Sequence, residues 1–302
     1  MGEKVKNHEL SEYAKNLMSY IRSVIGTDNF ILYGGAPIDL MKNKDCEIND
    51  YDLAISGKTQ GKIKRVVSSL TRKGFEIIEL RRKYYIYHDT EIILMYARND
   101  KITLDICFID DVEMVGQFNL ESLYWKHPEM KCVDHYNAIK SIEDKKIIPI
   151  RGLEKENVFL LVSRFLCLCS KYDINFLSDE LNYIIDSFHK KLSECGQGES
   201  EQYVSCLSSI FKSILRARNR MIFINELVDS SLVKLIFPLL HISLNNVLQN
   251  EHNFEIMEKI INKKDLLYFL GEHLERRDRA IFKDKIRILS RRKWDKQDAN
   301  IS

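Results

Sequence analysis

Residues 30–55 constrain the fold of this chain more than any other part of the sequence. An apolar run, Phe-Ile-Leu-Tyr, leads into the diglycine Gly34-Gly35, and the segment closes with Asn-Asp-Tyr-Asp-Leu-Ala-Ile. This order predicts a strand, a turn, a short helix and a second strand. Asp50 and Asp52 are two residues apart, so both carboxylates project from the same face of that second strand.

The chemistry of these residues indicates a metal and a phosphate. Two neighbouring carboxylates repel each other unless a cation lies between them. A diglycine at the end of a strand allows backbone N–H groups to approach a phosphate closely. Because hard divalent cations prefer oxygen ligands, we predict a metal–triphosphate site that contains Mg²⁺ or Mn²⁺.

Asp105 supplies a third carboxylate to this prediction. It is the single acidic residue in the otherwise apolar strand pattern of residues 101–109. A buried carboxylate without a partner is costly, so we expect Asp105 to have one. Beside the strand of Asp50 and Asp52, that partner would be a metal ion or the acceptor hydroxyl whose proton Asp105 takes, as two-metal phosphoryl transfer requires.

The composition is that of a globular protein with no overall preference for nucleic acid. The chain has 302 residues and a net charge of +2, and 45% of its residues are hydrophobic. No apolar run approaches the roughly 20 residues needed to span a bilayer, so we expect no membrane partner. The first residues lack the apolar core of a signal peptide, and the seven cysteines are scattered. We therefore expect a cytoplasmic protein.

The spacing of apolar residues predicts an α+β architecture in two domains. Residues 1–150 contain helical patterns at 9–25 and 58–73 and a mixed sheet of about five strands. Residues 151–302 are all-helical. The predicted helical segments there are 154–172, 177–193, 201–215, 219–236, 240–249, 254–262, 264–270 and 273–294.

The head of the chain resembles a known group of enzymes. Gly34, Gly35, Asp39, Asp50 and Asp52 match the signature of the DNA polymerase β-like nucleotidyltransferase superfamily. Within it the chain is similar to the head domain of bacterial poly(A) polymerases and tRNA CCA-adding enzymes. Weaker similarity continues to about residue 175, with segment 118–125 similar to the family's short helix after the catalytic sheet.

The resemblance implies roles for these residues. Asp50, Asp52 and Asp105 would be the catalytic carboxylates and metal ligands. Gly34, Gly35 and Asp39 would contact the nucleotide. Lys62, on the helix after the Asp-x-Asp strand, is a further candidate for contact with the triphosphate.

Three departures from the family pattern concern the choice of nucleotide. Ile38 replaces an arginine that follows the diglycine in the family. The family's ribose-contacting Arg-Arg-Asp falls on 115–117, and its base-reading Glu-Asp-x-x-Arg falls near 154–158, and neither motif is present. We therefore expect a transferase with a different or relaxed nucleotide choice rather than a CCA-adding enzyme.

Several basic segments allow two interpretations. The turn at 81–83, the arginines at 216, 218 and 220, and the segment 276–296 are rich in Lys and Arg. Each would bind a phosphate backbone or be an ordinary charged surface. The sequence alone does not choose between these interpretations.

The primary hypothesis is template-independent transfer of a nucleoside monophosphate from an NTP to an acceptor hydroxyl, with release of pyrophosphate. The resemblance and the basic tail favour an RNA 3′ end, of tRNA or another RNA, as the acceptor. A second hypothesis is transfer to a protein or small molecule. A third is a degenerate fold that binds nucleotide or RNA without turnover. The preferred NTP and the oligomeric state stay open.

Overall fold

The computed structural model describes residues 6–42, 48, 50–85, 90–110, 116–150, 157–178, 181–194 and 201–291. The chain divides into two compact units, Met1–Lys155 and Glu156–Ser302. The boundary expected from the sequence was near residue 150. An α+β head followed by an all-helical region confirms the predicted fold class.

The head is built on one mixed sheet of eight strands. Its strands are β1 (Lys6–Glu9), β2 (Phe30–Tyr33), β3 (Asp50–Ser56), β4 (Glu76–Tyr85), β5 (Thr90–Arg98), β6 (Thr103–Ile109), β7 (Leu123–His127) and β8 (Lys131–Asp134). They lie in the order β1-β8-β7-β2-β3-β6-β5-β4. The β3–β6 pair is parallel and the other pairs are antiparallel.

The sheet is larger than the five strands that the sequence predicts. The additional strands β1, β7 and β8 have only four or five residues each. An alternating pattern over so few residues does not distinguish a strand from a loop. Whether such a segment forms a strand depends on pairing partners far along the chain. Segment 118–125, expected to be helical, forms a 3₁₀ turn at Asn119–Glu121 and then most of β7.

The head helices are α1 (Glu12–Ile25), α2 (Gly35–Lys42), α3 (Gln60–Arg72) and α4 (Ala138–Glu143). Ser11 and Thr59 begin α1 and α3 by accepting hydrogen bonds from backbone N–H groups of the first turn. α1 and α3 pack together, and Ser69 of α3 donates to the Val24 carbonyl across this contact.

The two faces of the sheet differ in what they present. On one face Leu53, Ile106, Met95 and Leu32 are completely buried. The opposite face has a smaller apolar cluster at one end, made of Ile31, Ala54, Ile92, Cys107, Ile109, Tyr124 and Val133. At the other end of that face, along β3 and β6, stand the acidic side chains.

The second unit is a set of nine helices among the described residues. They are α5 (Val158–Tyr172), α6 (Asn182–Glu194), α7 (Glu201–Arg216), α8 (Arg220–Asp229), α9 (Leu232–Ile236), α10 (Pro238–Leu248), α11 (Glu251–Glu258), α12 (Lys263–Glu272) and α13 (Arg276–Arg291). Edge-to-face contacts of Phe165 with Phe176 and Phe188 lie in its core. None of the described helices is long and apolar enough to cross a membrane.

The predicted helix 219–236 is in fact two helices. Ser231 has a φ of 56°, in the left-handed region, and separates α8 from α9. A left-handed residue cannot continue a right-handed helix. Apolar spacing runs through the break because both helices bury residues on each side of it, and so the sequence pattern does not reveal it.

Arg220 has a structural role that decides one of the open interpretations. Its Nη1 donates to the carbonyls of Met257 and Ile260 at 2.8 Å each, and its Nη2 donates to Leu215 at 3.1 Å. The guanidinium thereby binds carbonyls at the end of α7 and at and just after the end of α11, where helix carbonyls have no intrahelical partner. Arg220 is therefore bound within the fold, whereas Arg216 and Arg218 are exposed.

Candidate active site

Strand register brings two of the predicted carboxylates together. Asp52 of β3 is the direct partner of Asp105 on β6. The strands are parallel and neighbouring, about 4.8 Å apart, so side chains in register project from the same face. Asp52 and Asp105, here called the acidic pair, are 53 residues apart in sequence and adjacent across the sheet. Both are partly buried.

Gly34 allows the backbone of the diglycine turn to lie against the acidic pair. It follows the last residue of β2 and has a φ of 77°, in the left-handed region. A Cβ on Gly34 would overlap Oδ2 of Asp52. The turn thus requires glycine twice, for its conformation and for its contact with the carboxylate. Gly35 begins α2, so backbone N–H groups of this helix start beside the same carboxylate.

Gly34→Ala is expected to destabilise the protein by about 1–2 kcal/mol, because an alanine is strained at this φ. The added methyl group is also expected to displace the Asp52 carboxylate. Gly61→Ala is the matched control, since nothing lies within 4 Å of a Cβ there and Gly61 is helical. Denaturant unfolding of both variants checks this. Equal stability of the two would contradict the close contact at Gly34.

Two tyrosines extend the row in which the acidic pair lies. Tyr33 is the register partner of Asp52 on β2, and Tyr96 is the register partner of Asp105 on β5. The order across four strands is therefore Tyr33, Asp52, Asp105, Tyr96. Neither tyrosine stands out in the sequence, because aromatic residues are common in strands and only register places these two beside the carboxylates.

Asp50 lies one row further toward the start of β3. Its register partner is Thr103, which in turn pairs with Arg98 of β5. Arg98 makes an ion pair with Glu76 at 3.3 Å. Asp50, the first residue of the central strand β3, is exposed, yet partial desolvation of its carboxyl raises its pKa above the usual value. A divalent cation at this place would favour the charged carboxylate and oppose that shift.

Comparison with known proteins identifies the fold but no sequence relative. No protein-family model matches the chain, and no curated protein is significantly similar to it in sequence. A Thermotoga maritima CCA-adding enzyme complexed with tRNA superposes with a TM-score of 0.63 at 12% identity, covering 93% of this chain and 70% of that one.

Two further solved structures agree. A CCA-adding enzyme in complex with CTP has a TM-score of 0.60 at 13% identity, covering 92% of this chain and 69% of that one. A tRNA nucleotidyltransferase complexed with a primer tRNA and an incoming ATP analogue has a TM-score of 0.56 at 14% identity, covering 90% of this chain and 78% of that one. The chain has the fold of these nucleotidyltransferases. At this identity the likeness concerns the fold alone, and it confirms the predicted resemblance.

Within this nucleotidyltransferase fold, Lys62 is separated from the other predicted site residues. Its ammonium donates to the Ser56 carbonyl, at the end of β3. Asp52 stands near the start of the same strand, about 13 Å away along β3 at 3.3 Å per residue. The structure therefore does not bring Lys62 to the acidic pair, and its observed contact is with the backbone. Asp39 lies on α2, partly buried, one turn after Gly35.

The carboxylates of this site suit a metal ion that takes its remaining ligands from a substrate. Among the described residues, no three His, Cys, Asp or Glu side chains are gathered closely enough to hold a metal ion by themselves. Mg²⁺ characteristically uses one or two carboxylates together with waters and substrate phosphates. The acidic pair matches that requirement, with Asp50 one row away.

Cys107 is a buried residue of the apolar cluster that lies next to the acidic pair on the same face of the sheet. It follows Asp105 by two residues and lies on the same face of the sheet. Burial raises the pKa of its thiol to about 12, and the charge of Asp105 adds to this shift. Because a thiol must lose its proton to bind a metal well, Cys107 is not expected to be a ligand.

Proposed function

We propose that this chain is a metal-dependent, template-independent nucleotidyltransferase that moves a nucleoside monophosphate from an NTP to an RNA 3′ end. The observation that carries the proposal is the register of Asp52 with Asp105 beside the left-handed Gly34. The nucleotidyltransferase fold supports it. Mg²⁺ or Mn²⁺, held by Asp52 and Asp105 with Asp50, would neutralise charge on the triphosphate and polarise the phosphorus that is attacked.

The residues of the chain would position the reactants and move one proton. Backbone N–H groups of Gly34 and Gly35 would orient the β and γ phosphates, near the positive end of α2. Asp105 would accept the proton of the acceptor hydroxyl. The new bond forms between that oxygen and the α phosphorus, while the bond to the β-phosphate oxygen breaks and pyrophosphate leaves. Positioning and charge neutralisation supply most of the rate enhancement.

The proposed substrate specificity differs from that of a CCA-adding enzyme. Ile38, where the family has an arginine, is 3% exposed and packs in the core. The segments 111–115 and 151–156, on which half of the positions of the missing ribose- and base-reading motifs fall, lie outside the described residues. Gly116 and Gln117 have no charged side chain, and Asn157 begins α5 by capping it. A relaxed or altered base choice follows from these residues.

A labelling assay tests the proposal. Purified protein receives each α-labelled NTP separately, with Mg²⁺, with Mn²⁺ or with EDTA, and with or without total RNA. We expect label in RNA that requires a divalent cation, and the NTP that gives the most label identifies the preferred base. Asp50→Ala/Asp52→Ala protein is the control for contaminating transferases.

The pattern of labelling distinguishes the alternatives. Label on the protein itself or on a small molecule, without RNA, would replace RNA by another acceptor. Binding of NTP without label under any condition would contradict catalysis and support the binding-only fold. Equal labelling by the double variant would assign the activity to a contaminant.

A further inference from the structure

A second cleft opens on the head, away from the acidic pair. It has a volume of about 730 Å³ and lies between α3 and the β4–β5 edge of the sheet. Four of the described residues that line it are cationic, from the β3–α3 connection, from α3 and from β4: Lys58, Lys64, Arg81 and Arg82. We call it the basic cleft.

The basic cleft lies on the other face of the sheet from the acidic pair. Arg82 is the register partner of Ile93, which lines the cleft floor. Arg81, the register partner of Leu94, lines the cleft at the outermost strand β4. Ile93 alternates with Leu94, whose register partner Cys107 is on the face of Asp105. Lys58 moreover follows the end of β3, whereas Asp52 is near its start. The two sites are therefore separate.

The charge of the lining suits an anion. Among the described residues, no carboxylate lines the basic cleft. Three of its cations pair with acids outside it, and these acidic side chains are 48–63% exposed: Lys58 with Asp110 at 3.0 Å, Arg81 with Glu79 at 3.2 Å and Arg82 with Glu91 at 3.6 Å. Exposed ion pairs contribute little to stability, so a ligand phosphate can compete for Arg81 and Arg82 at small cost. Lys58 is also held by the Glu91 carbonyl, to which its Nζ donates at 2.9 Å.

The size and floor of the cleft indicate more than a single phosphate. Ile63 and Val67 of α3 and Ile93 of β5 give it an apolar floor, on which part of a ligand can be removed from water. Its volume is within the range of about 300–1,000 Å³ that is typical of small-molecule sites. Arginine and lysine around an apolar floor form a site for a phosphate attached to an apolar or aromatic group.

We propose that the basic cleft is a second phosphate-binding site, which takes a phosphorylated ligand of nucleotide size. The phosphate would belong either to a free nucleotide or to one nucleotide of an RNA strand. The proposal does not depend on turnover at the acidic pair. The sequence predicted a turn at 81–83, but these residues lie inside β4, whose pairing with β5 continues through them. The proposal gives Arg81 and Arg82 the binding role that the sequence left open.

Binding in EDTA removes the acidic pair from the measurement, because its carboxylates repel phosphate when no divalent cation is present, and paired variants separate the basic cleft from the other basic surfaces. Calorimetry would use inorganic tripolyphosphate and ATP, and fluorescence anisotropy a labelled ten-nucleotide RNA. The cleft variant is Lys64→Gln/Arg82→Gln. The control is Arg65→Gln/Lys73→Gln, which removes the same charge from exposed positions on and beside α3 that do not line the cleft.

We expect salt-sensitive binding that weakens by about tenfold or more in the cleft variant, because hydrogen bonds between cations and phosphate are strong. The control variant should bind as the unaltered protein does. Binding of tripolyphosphate or ATP indicates a free nucleotide, and binding of the RNA alone indicates a strand. No binding by the unaltered protein, or equal weakening in both variants, would overturn the proposal. Circular dichroism verifies that both variants are folded.

Discussion

Asp52→Asn is expected to lower nucleotidyl transfer by about a thousandfold or more, equivalent to roughly 4 kcal/mol of transition-state stabilisation. Asparagine keeps the size of the side chain and removes its charge. Asp52 is the member of the acidic pair that touches both the Gly34 turn and the strand of Asp105. Initial rates with saturating NTP and RNA measure the effect.

The matched control for this prediction is Asp100→Asn. Asp100 is exposed at the turn between β5 and β6, outside the row of the acidic pair, so its rate should stay within about twofold of the original, as for a surface change. Thermal unfolding with Mg²⁺ and NTP separates a folding defect from a catalytic one. An Asp52→Asn protein that is folded and retains a tenth of the activity would remove Asp52 from the proposed chemistry.

Glu226→Gln is expected to change how stability depends on pH. Glu226 of α8 is 6% exposed, and its Oε2 accepts a hydrogen bond from the Phe176 N–H at 3.4 Å. Burial raises the pKa of this carboxyl to about 7, and the charge of Asp173 adds to the shift. An unfolded glutamate titrates near 4.5. The folded protein therefore binds more protons than the unfolded chain between these two pH values.

The sign of the effect follows from this difference in bound protons. As the pH rises from about 4.5 to about 7, the free energy of unfolding should fall by up to about 3 kcal/mol on account of Glu226. Glutamine cannot ionise, so the variant should gain stability relative to the original as pH rises. Guanidinium unfolding at pH 5 and pH 8 measures the change in the free energy of unfolding between the two pH values, with the exposed Glu258→Gln as control. The same pH slope in the original and in Glu226→Gln would contradict the raised pKa.

The sequence predicted the parts of the fold that have strong local patterns. The helical spacing of 9–25 and 58–73 predicts α1 and α3, and the strands on either side of the diglycine follow from the pattern of residues 30–55. The helices each bury one face over several turns, so their pattern is long enough to recognise. β2 and β3 were recognised by apolar runs next to the diglycine and the Asp-x-Asp. The short strands β1, β7 and β8 depend on distant partners and were not predicted.

The candidate site divides in the same way. Gly34, Asp50 and Asp52 are close in sequence and are predicted from local chemistry, and Asp105 is predicted because one acid interrupts an apolar strand. Lys62 was chosen on a local pattern too, but its ammonium contacts the backbone at the far end of β3. Sequence spacing gives a residue's neighbours along one element and says nothing about register between elements.

Sequence alone determined that this chain carries three carboxylates and a diglycine in strand contexts, which indicates phosphate and metal chemistry. Tertiary structure decided which groups meet. Strand register set Asp52 against Asp105 between Tyr33 and Tyr96, and the packing of α3 on the β4–β5 edge gathered four cations around one cleft. Arg220, one of three similar arginines in the sequence, has a structural role because α7 and α11 end beside it and it donates hydrogen bonds to their carbonyls. Each of these side-chain placements depends on contacts between residues far apart in the chain, and such contacts form only when the chain is folded.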